Sequence, residues 1–313
     1  MNNVIYDLII VGGGPAGVAA GVYAARKKIK TLFITDSFGG QSLVSADVQN
    51  WIGTKSVSGF DLGKMFEEHL RAQEDIDIVD GELVDKIEEI KDGLRISTHN
   101  GKNFDTKYLL LTTGSSRKKL GVPGEKEFDG KGVAYCSTCD APIFKDKIVA
   151  VVGGGNAGLE SVVDLFPYAS KIYVIVRSGE LKGDPITQEK VKSHKNVEVI
   201  FNALTQEIVG NEFVTGLRYK DAKSGEAKEL KLDGVFVEIG IVPNSDLVKN
   251  LAKINDRGEI IVDHKTQETS HTRIWAAGDA TDVLYKQNNI SAGDAVKAVL
   301  NIYDRIHERP KKN

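Results

Sequence analysis

Cysteine is nearly absent from this chain, with two in 313 residues. That scarcity excludes a disulfide-stapled extracellular scaffold, which needs several pairs to hold a small core. The six histidines form no metal-like spacing with the cysteines, and no second cysteine pair exists to complete a four-ligand zinc site, so no metal is expected. Long hydrophobic runs are missing too. The first apolar run, Val4 to Val11, is too short to span a bilayer and lacks a basic leader and a small-residue cleavage site. Charge of one sign is likewise wanting. A formal net charge of −3, with acids and bases interspersed, leaves no electrostatic footprint for nucleic acid or for an anionic membrane. Only Arg309 to Lys312 is locally basic, and such a run reads as a solvated tail. A globular cytoplasmic protein is therefore expected, with no nucleic-acid or membrane partner and enough length for two domains.

The two cysteines stand together as Cys136-Ser137-Thr138-Cys139-Asp140. Two residues between cysteines bring the sulfurs within reach of one another, and in a reducing compartment such a pair is redox-active rather than a staple. An N-terminal helix dipole could lower a thiol pKa, and Asp140 could shuttle the proton that thiol–disulfide exchange must move. Asp140 could equally cap the following turn.

Glycine, by contrast, is plentiful and patterned. Leu8-Ile-Ile-Val-Gly-Gly-Gly-Pro-Ala-Gly recurs almost unchanged as Val149-Ala-Val-Val-Gly-Gly-Gly-Asn-Ala-Gly. Each copy has a buried-strand run, a glycine turn and a helical stretch, the context that gives a G-x-G-x-x-G its meaning. Gly12 and Gly153 permit the tight turn, Gly14 and Gly155 let a pyrophosphate approach the backbone, and Gly17 and Gly158 let helix and strand pack closely. Asn156 follows in the second copy. The residue expected to meet the adenosine ribose is Asp36 in the first copy, suited to a free 2′-hydroxyl as in FAD or NAD, and Arg177 in the second, which tolerates or favours NADP. A dithiol that is reduced repeatedly needs a two-electron donor beside it, and two dinucleotide sites can hold a flavin and a nicotinamide.

Two segments punctuate the chain as crossings between domains: Thr113-Gly114-Ser115 through Val122-Pro123-Gly124, and Gly240 to Ser245. Two crossings imply an insertion. The expected division is a first domain over 1–117 and 246–313, and an inserted domain over 118–245 that carries the dithiol. Gly258 to Asp263 and Ile274 to Asp279 are expected to supply late strands, and Asn288-Asn289 an N-cap for a closing amphipathic helix. Asp279 follows a buried strand, where a carboxylate can accept hydrogen bonds from a polyol chain.

With these residues in view, the chain resembles the low-molecular-weight thioredoxin reductases. In local wording it is closer still to the flavoprotein subunit of bacterial alkyl hydroperoxide reductase without its N-terminal thioredoxin-like extension. The matching segments are Gly12 to Gly17, Phe38-Gly-Gly-Gln, Asn50, Thr112-Thr-Gly, Val122-Pro-Gly-Glu, Cys136-x-x-Cys-Asp, Gly153 to Asn156, Gly240-x-x-Pro-Asn, Ala277-Gly-Asp and Tyr285-Lys-Gln. The resemblance implies an α/β fold of two doubly wound Rossmann-like domains, the NAD(P)-binding one inserted into the FAD-binding one, in a homodimer. It implies FAD contacts from Gly12, Gly14, Ala16, Gly17, Asp36, Gly40, Gln41, Asn50, the backbone of Val84, Thr113, Gly114, Gly278, Asp279, Lys286 and Gln287. It further implies that Cys139 faces the flavin, Cys136 attacks the partner disulfide and Asp140 is the acid.

The implied reaction runs from NAD(P)H through FAD and the dithiol to a thioredoxin-like or glutaredoxin-like protein, with domain rotation at the crossings. The chain departs from the family at Val176-Arg177-Ser178, where thioredoxin reductases carry a histidine and two arginines and the hydroperoxide reductase flavoprotein an acid at position 176. NADH reduction of a peroxiredoxin partner, reduction by ferredoxin, and a non-catalytic redox sensor are the alternatives.

Overall fold

The computed structural model describes residues 5–44, 48, 50–135 and 137–307, with the side chains of Val44, Thr138 and Cys139 outside the description. The chain divides into two compact units, Met1–Ser116 with Val242–Asn313, and Arg117–Ile241. The second division falls before Val242, earlier than the expected residue 246. Asn244 explains the difference, because its side-chain amide donates to the Thr113 carbonyl at 2.8 Å and so belongs with the first unit.

The first unit opens with β1 (Ile5–Gly13), α1 (Pro15–Arg26), β2 (Thr31–Phe38), α2 (Gly59–Arg71) and β3 (Ile76–Val79), followed by β4 (Val84–Ile90), β5 (Gly93–Thr98) and β6 (Asn103–Leu111). The apolar run in β1 has no polar face because both faces of its sheet are covered. Leu8 and Ile10 pack toward α1 and α2, whereas Ile9 and Val11 pack into a second core with Ile87, Leu94 and Ile96 of β4 and β5. Alanine and glycine let α1 lie close to its neighbours: a Cβ on Gly21 would meet Leu70 Cδ1 at 2.5 Å. The α2 helix starts where Ser58 accepts from the Asp61 N–H, a cap worth about 1 kcal/mol.

After the crossing strand β7 (Ser115–Arg117), the second unit runs through β8 (Val133–Ala134), the one-turn α3 (Ser137–Asp140), β9 (Ile148–Val152), α4 (Asn156–Leu165), β10 (Lys171–Val176), α5 (Pro185–Ser193) and β11 (Val197–Phe201). It closes with β12 (Ala203–Gly210), β13 (Val214–Asp221), β14 (Ala227–Lys231) and β15 (Gly234–Val237). Its parallel sheet has the order β11-β10-β9-β15-β8. Here too β9 is buried on both faces: Val149 and Val151 join the core containing Leu159 and Val162 of α4, and Ala150 and Val152 the core containing Ile208 and Leu217 of the β12–β14 sheet.

The chain returns through β16 (Ile241–Pro243), β17 (Ile274–Ala276) and the closing helix α6 (Asn288–His307). The first sheet is then complete in the order β3-β2-β1-β6-β5-β4, with β17 parallel to the last residues of β6. Gly258 to Asp263, expected as a strand, makes only single bridges through Ile260 to Ile254 and Thr281. The Asn255 side chain accepts from the backbone N–H groups of Arg257 and Glu259, a local turn that competes with ladder formation.

Candidate functional site

In the first unit the ends of β1, β2, β6 and β17 bring Gly12, Asp36, Thr112 and Ala277 to one edge of the sheet, at the point where strand order reverses around β1. Ligands of open α/β sheets bind at such switch points. Gly12 has φ +118°, and a Cβ there would stand 2.3 Å from the Thr112 carbonyl oxygen. Gly14 is different: a Cβ would meet only Gly40 Cα, at 3.8 Å. Thus two fingerprint glycines, Gly12 and Gly17, are closed by the chain itself and the middle one is left open. Gly14 also caps α1 without any side-chain hydrogen bond, so the first N–H groups of the helix, those of Ala16 and Gly17, find no side-chain acceptor on their cap residue. An open backbone beside an uncapped helix start is what a diphosphate requires.

Around this turn the structure gathers most of the expected residues. A Cβ on Gly278, where φ is +78°, would lie 3.1 Å from Ser291 Oγ and 3.3 Å from Ala16 Cβ, so the starts of α1 and α6 meet there. Asp279 is half-buried, and burial raises its carboxyl pKa against the opposing pull of Lys286. The hydroxyls of Ser115 and Ser291 lie 3.5 and 3.4 Å from its oxygens. Lys286 Nζ pairs with Glu259 at 3.0 Å and also donates to the carbonyls of Asp279 and Thr281, pinning the turn that carries Asp279.

Gln41 donates to the Ser115 carbonyl at 2.8 Å, and Gly40, at φ +55°, faces Gly14. Asn50 donates to Gln287 at 3.3 Å, and Asn289 returns a bond to the Asn50 carbonyl at 2.7 Å. Asn288 and Asn289 therefore lie inside the first turn of α6 and tie it to residues 42–52, rather than capping it. Asp36 is exposed at the end of β2. The Glu82 N–H donates to the Thr35 carbonyl at 3.0 Å, which ties the segment leading into Val84 and β4 to β2. Thr113 and Gly114 follow β6, with Thr113 Oγ1 donating to the Asn244 carbonyl at 2.6 Å. Sequence reasoning does not single out Ser42, Ser115, Asn244 or Glu259 as site residues, although Ser115 and Asn244 stand in the crossing segments and the asparagine pair opening α6 points toward Ser42, to which Asn288 donates at 3.0 Å.

The second unit repeats the pattern. A Cβ on Gly153 would lie 2.0 Å from the Glu238 carbonyl oxygen and one on Gly158 2.3 Å from that of Gly153, whereas nothing stands within 4 Å of one on Gly155. The α4 helix is uncapped at Gly155. Asn156, expected at the cofactor, uses its side-chain oxygen to accept from the Asp184 N–H at 2.7 Å. With the Lys182 N–H donating to the Gly154 carbonyl, this folds the loop after β10 back over the fingerprint. Arg177 opens that loop, exposed and with no ion pair among the described residues.

Cys136 lies outside the described residues, as does the side chain of Cys139, so the sulfurs carry no geometry here. Their neighbours do. On one flank the Tyr135 hydroxyl donates to the buried Glu125 at 3.0 Å, and Glu125 also accepts from the N–H groups of Leu120 and Gly121. On the other, the buried Ser137 hydroxyl donates to Asp164 on α4 at 2.7 Å. Asp140 is half-buried, and burial alone pushes its carboxyl pKa up. Burial thus favours the protonated form, the one that can donate a proton. The α3 helix is a single turn, which leaves little dipole to act on a thiol.

These features agree with known proteins. The F subunit of alkyl hydroperoxide reductase in Pseudomonas putida is 44% identical over 306 residues, and its counterpart in Staphylococcus aureus 40% identical over 301. Each match covers 96% of this chain but only 58% and 59% of the respective relative, so the chain spans less than two thirds of their length. Thioredoxin reductase of Lactococcus lactis, in its FR conformation, matches with a TM-score of 0.85 at 29% identity, over 97% of this chain and 100% of that one. The T. acidophilum thioredoxin reductase matches with a TM-score of 0.81 at 36% identity, over 96% and 98%. A family model matches residues 6–298, and the chain accordingly belongs to the pyridine nucleotide-disulphide oxidoreductases.

Proposed function

We propose that this chain is an FAD-dependent disulfide reductase that uses NAD(P)H to reduce its Cys136–Cys139 pair, and that the pair in turn reduces a thioredoxin-like protein. The observation that carries this reading is the twice-repeated cradle, closed at Gly12, Gly17, Gly153 and Gly158 and open at Gly14 and Gly155, in a chain whose only cysteines form one Cys-x-x-Cys motif. Family membership implies FAD and NAD(P)H, which supply two-electron chemistry when bound. Residues fitted to hold FAD are Gly14, the N–H groups of Ala16 and Gly17, Asp36 and Asp279. For the nicotinamide dinucleotide they are Gly155, the start of α4 and Arg177.

In the exchange step the Cys136 thiolate attacks one sulfur of the partner disulfide, forming a mixed disulfide while the partner's other sulfur departs as a thiolate. Asp140 protonates that leaving thiolate. Cys139 then attacks the Cys136 sulfur, which closes the Cys136–Cys139 bond and releases the partner's second thiolate. The starts of α1 and α6 and the loop after β10 orient the cofactors, and the Glu125 and Asp164 bonds hold both flanks of the cysteine motif. A homodimer in the reducing cytoplasm fits this reading. A peroxiredoxin is the second candidate partner, favoured by the identity to the hydroperoxide reductase flavoproteins.

Anaerobic titration tests the proposal. FAD-loaded protein should be bleached by NADPH or NADH and should turn over a thioredoxin disulfide, and Cys136→Ser should abolish the turnover while leaving the bleaching. A protein that takes up no FAD, or that reduces the partner equally well without Cys136, would overturn it.

A further inference from the structure

The two crossings, β7 and β16, pair with each other as a ribbon whose ends are fastened by different chemistry. At one end Asn244 is held by neutral bonds alone. Its N–H donates to the Gly114 carbonyl at 2.9 Å and its amide to the Thr113 carbonyl, its carbonyl accepts from Thr113 Oγ1, and its side-chain oxygen accepts from Ser116 Oγ at 2.7 Å. At the other end, the last residue of β7, Arg117, donates through Nη1 to Glu238 Oε2 at 2.9 Å, and the Lys118 N–H donates to the Gly240 carbonyl at 2.9 Å. The Glu238 side chain is only 4% exposed and that of Arg117 31%.

A carboxylate with so little water depends on its cation. The charged groups facing Glu238 are Arg117 from the crossing, and Glu160 and Asp164 from α4. Burial, the largest influence, raises the Glu238 pKa to about 7, with Asp164 and Glu160 adding to the rise and Arg117 opposing it. Of the two fastenings, only this one contains a group that changes charge near neutrality.

We propose that Arg117 and Glu238 form a proton-operated clamp on the crossing ribbon. With Glu238 ionised, the ion pair locks Arg117 to the end of β15. With Glu238 protonated, the pair reduces to a weaker bond between a neutral acid and a cation, and that end of the ribbon loosens while the Asn244 end stays fixed. Glu238 is also the residue whose carbonyl closes on Gly153, so the clamp and the second fingerprint turn share one position of the chain.

Two effects of this proton have opposite sign, which makes the clamp separable from bulk stability. A buried acid with a raised pKa binds its proton more tightly in the folded state, so between its ordinary value and about 7 global stability falls as pH rises. The clamp instead tightens as pH rises through the same region.

Hydrogen exchange on the intact chain distinguishes the two. After correction for intrinsic chemistry, the Lys118 amide should be roughly tenfold better protected at about pH 8 than at about pH 6, with no such step in β12 to β14. Glu238→Gln should erase the step. Arg117→Met should do the same and serves as the second variant should Glu238→Gln fold poorly. A protection factor at Lys118 that is independent of pH in the natural chain, or a step that survives both substitutions, would overturn the proposal. Because the measurement needs no turnover, its failure would leave the disulfide-reductase reading untouched.

Discussion

The carbonyl oxygen of Gly12 stands 1.7 Å from the point that a Cβ on Gly17 would occupy. No side chain fits there without moving the β1–α1 turn. Gly17→Ala should therefore cost about 3 kcal/mol or more of stability and most of the bound flavin, through overpacking against backbone. Gly14→Ala makes the informative contrast. The Gly14 backbone, at φ −76° and ψ −173°, suits any residue, and its Cβ would make only an ordinary contact with Gly40 Cα at 3.8 Å. We expect a melting temperature within a few degrees of the natural chain, about 0.5 kcal/mol at most, yet a roughly tenfold or greater loss of FAD affinity. Equal losses of folding in both variants would show that the opening at Gly14 is not a binding cradle.

Why these glycines can be read directly from the sequence is a matter of range. Gly12, Gly14 and Gly17 lie within six residues: the φ of +118° at Gly12 and the Gly12 carbonyl over Gly17 are demands the turn makes on itself, and Gly14 is recognised by its fixed place between them. Both-face burial of β1 and β9 is legible for the same reason, since a run without polar alternation leaves no face for water. The fastenings around the sites are not legible. Asn289 finds Asn50 from 239 residues away, and Asn244 finds Thr113 across 131, so neither bond exists until the β-sheet topology is complete. Gly258 to Asp263 has the composition of a strand, but Asn255 captures its first N–H groups in a turn that composition does not reveal.

Lys286 and Glu259 form an ion pair with side chains 20% and 13% exposed. Burial works against the Glu259 carboxylate, but hydrogen bonds from Asn255 and Lys286, with the charges of Lys286 and Arg257, hold its pKa below the ordinary glutamate value. A lowered pKa in the folded state means stability that is present above the unfolded-state value and lost as pH falls through the folded one. Lys286→Met should destabilise the first unit by about 3 kcal/mol, as expected when one partner of a buried pair is removed, and should also release the carbonyls of Asp279 and Thr281. Denaturation midpoints at neutral pH and near pH 4 provide the check. The substituted protein should start lower and lose less on acidification, and a parallel loss in both proteins would contradict the pairing.

On the proposed reading Arg177 meets the ribose at the second fingerprint; Val176 and Ser178 stand beside it, and neither is an acid that would select a free 2′-hydroxyl. A guanidinium there favours a 2′-phosphate by charge and by paired hydrogen bonds. Arg177→Ala should raise KM for NADPH by roughly tenfold, about 1.4 kcal/mol of lost binding, while KM for NADH changes little. Steady-state rates with both donors decide the matter: equal effects on the two would remove Arg177 from the nucleotide site.

Asp140 carries the last prediction. Its carboxyl is half-buried directly after Cys139 in the chain, and burial alone raises its pKa, so the acid form persists to higher pH than in an exposed aspartate. A protonated acid is what a departing partner thiolate needs, whereas the attack by Cys136 needs the thiolate form and improves as pH rises. The two demands oppose each other, and the rate of partner reduction should rise and then fall with pH, the falling limb belonging to Asp140. Asp140→Asn should slow partner reduction by roughly 10²-fold, remove that falling limb, and leave anaerobic bleaching of the flavin by NAD(P)H at its original rate. The bleaching step separates chemistry from folding, because a variant that had merely lost its structure would fail at both. Should the pH profile keep its falling limb in the asparagine variant, the proton comes from another donor, and Asp140 serves only to hold the turn after the cysteines.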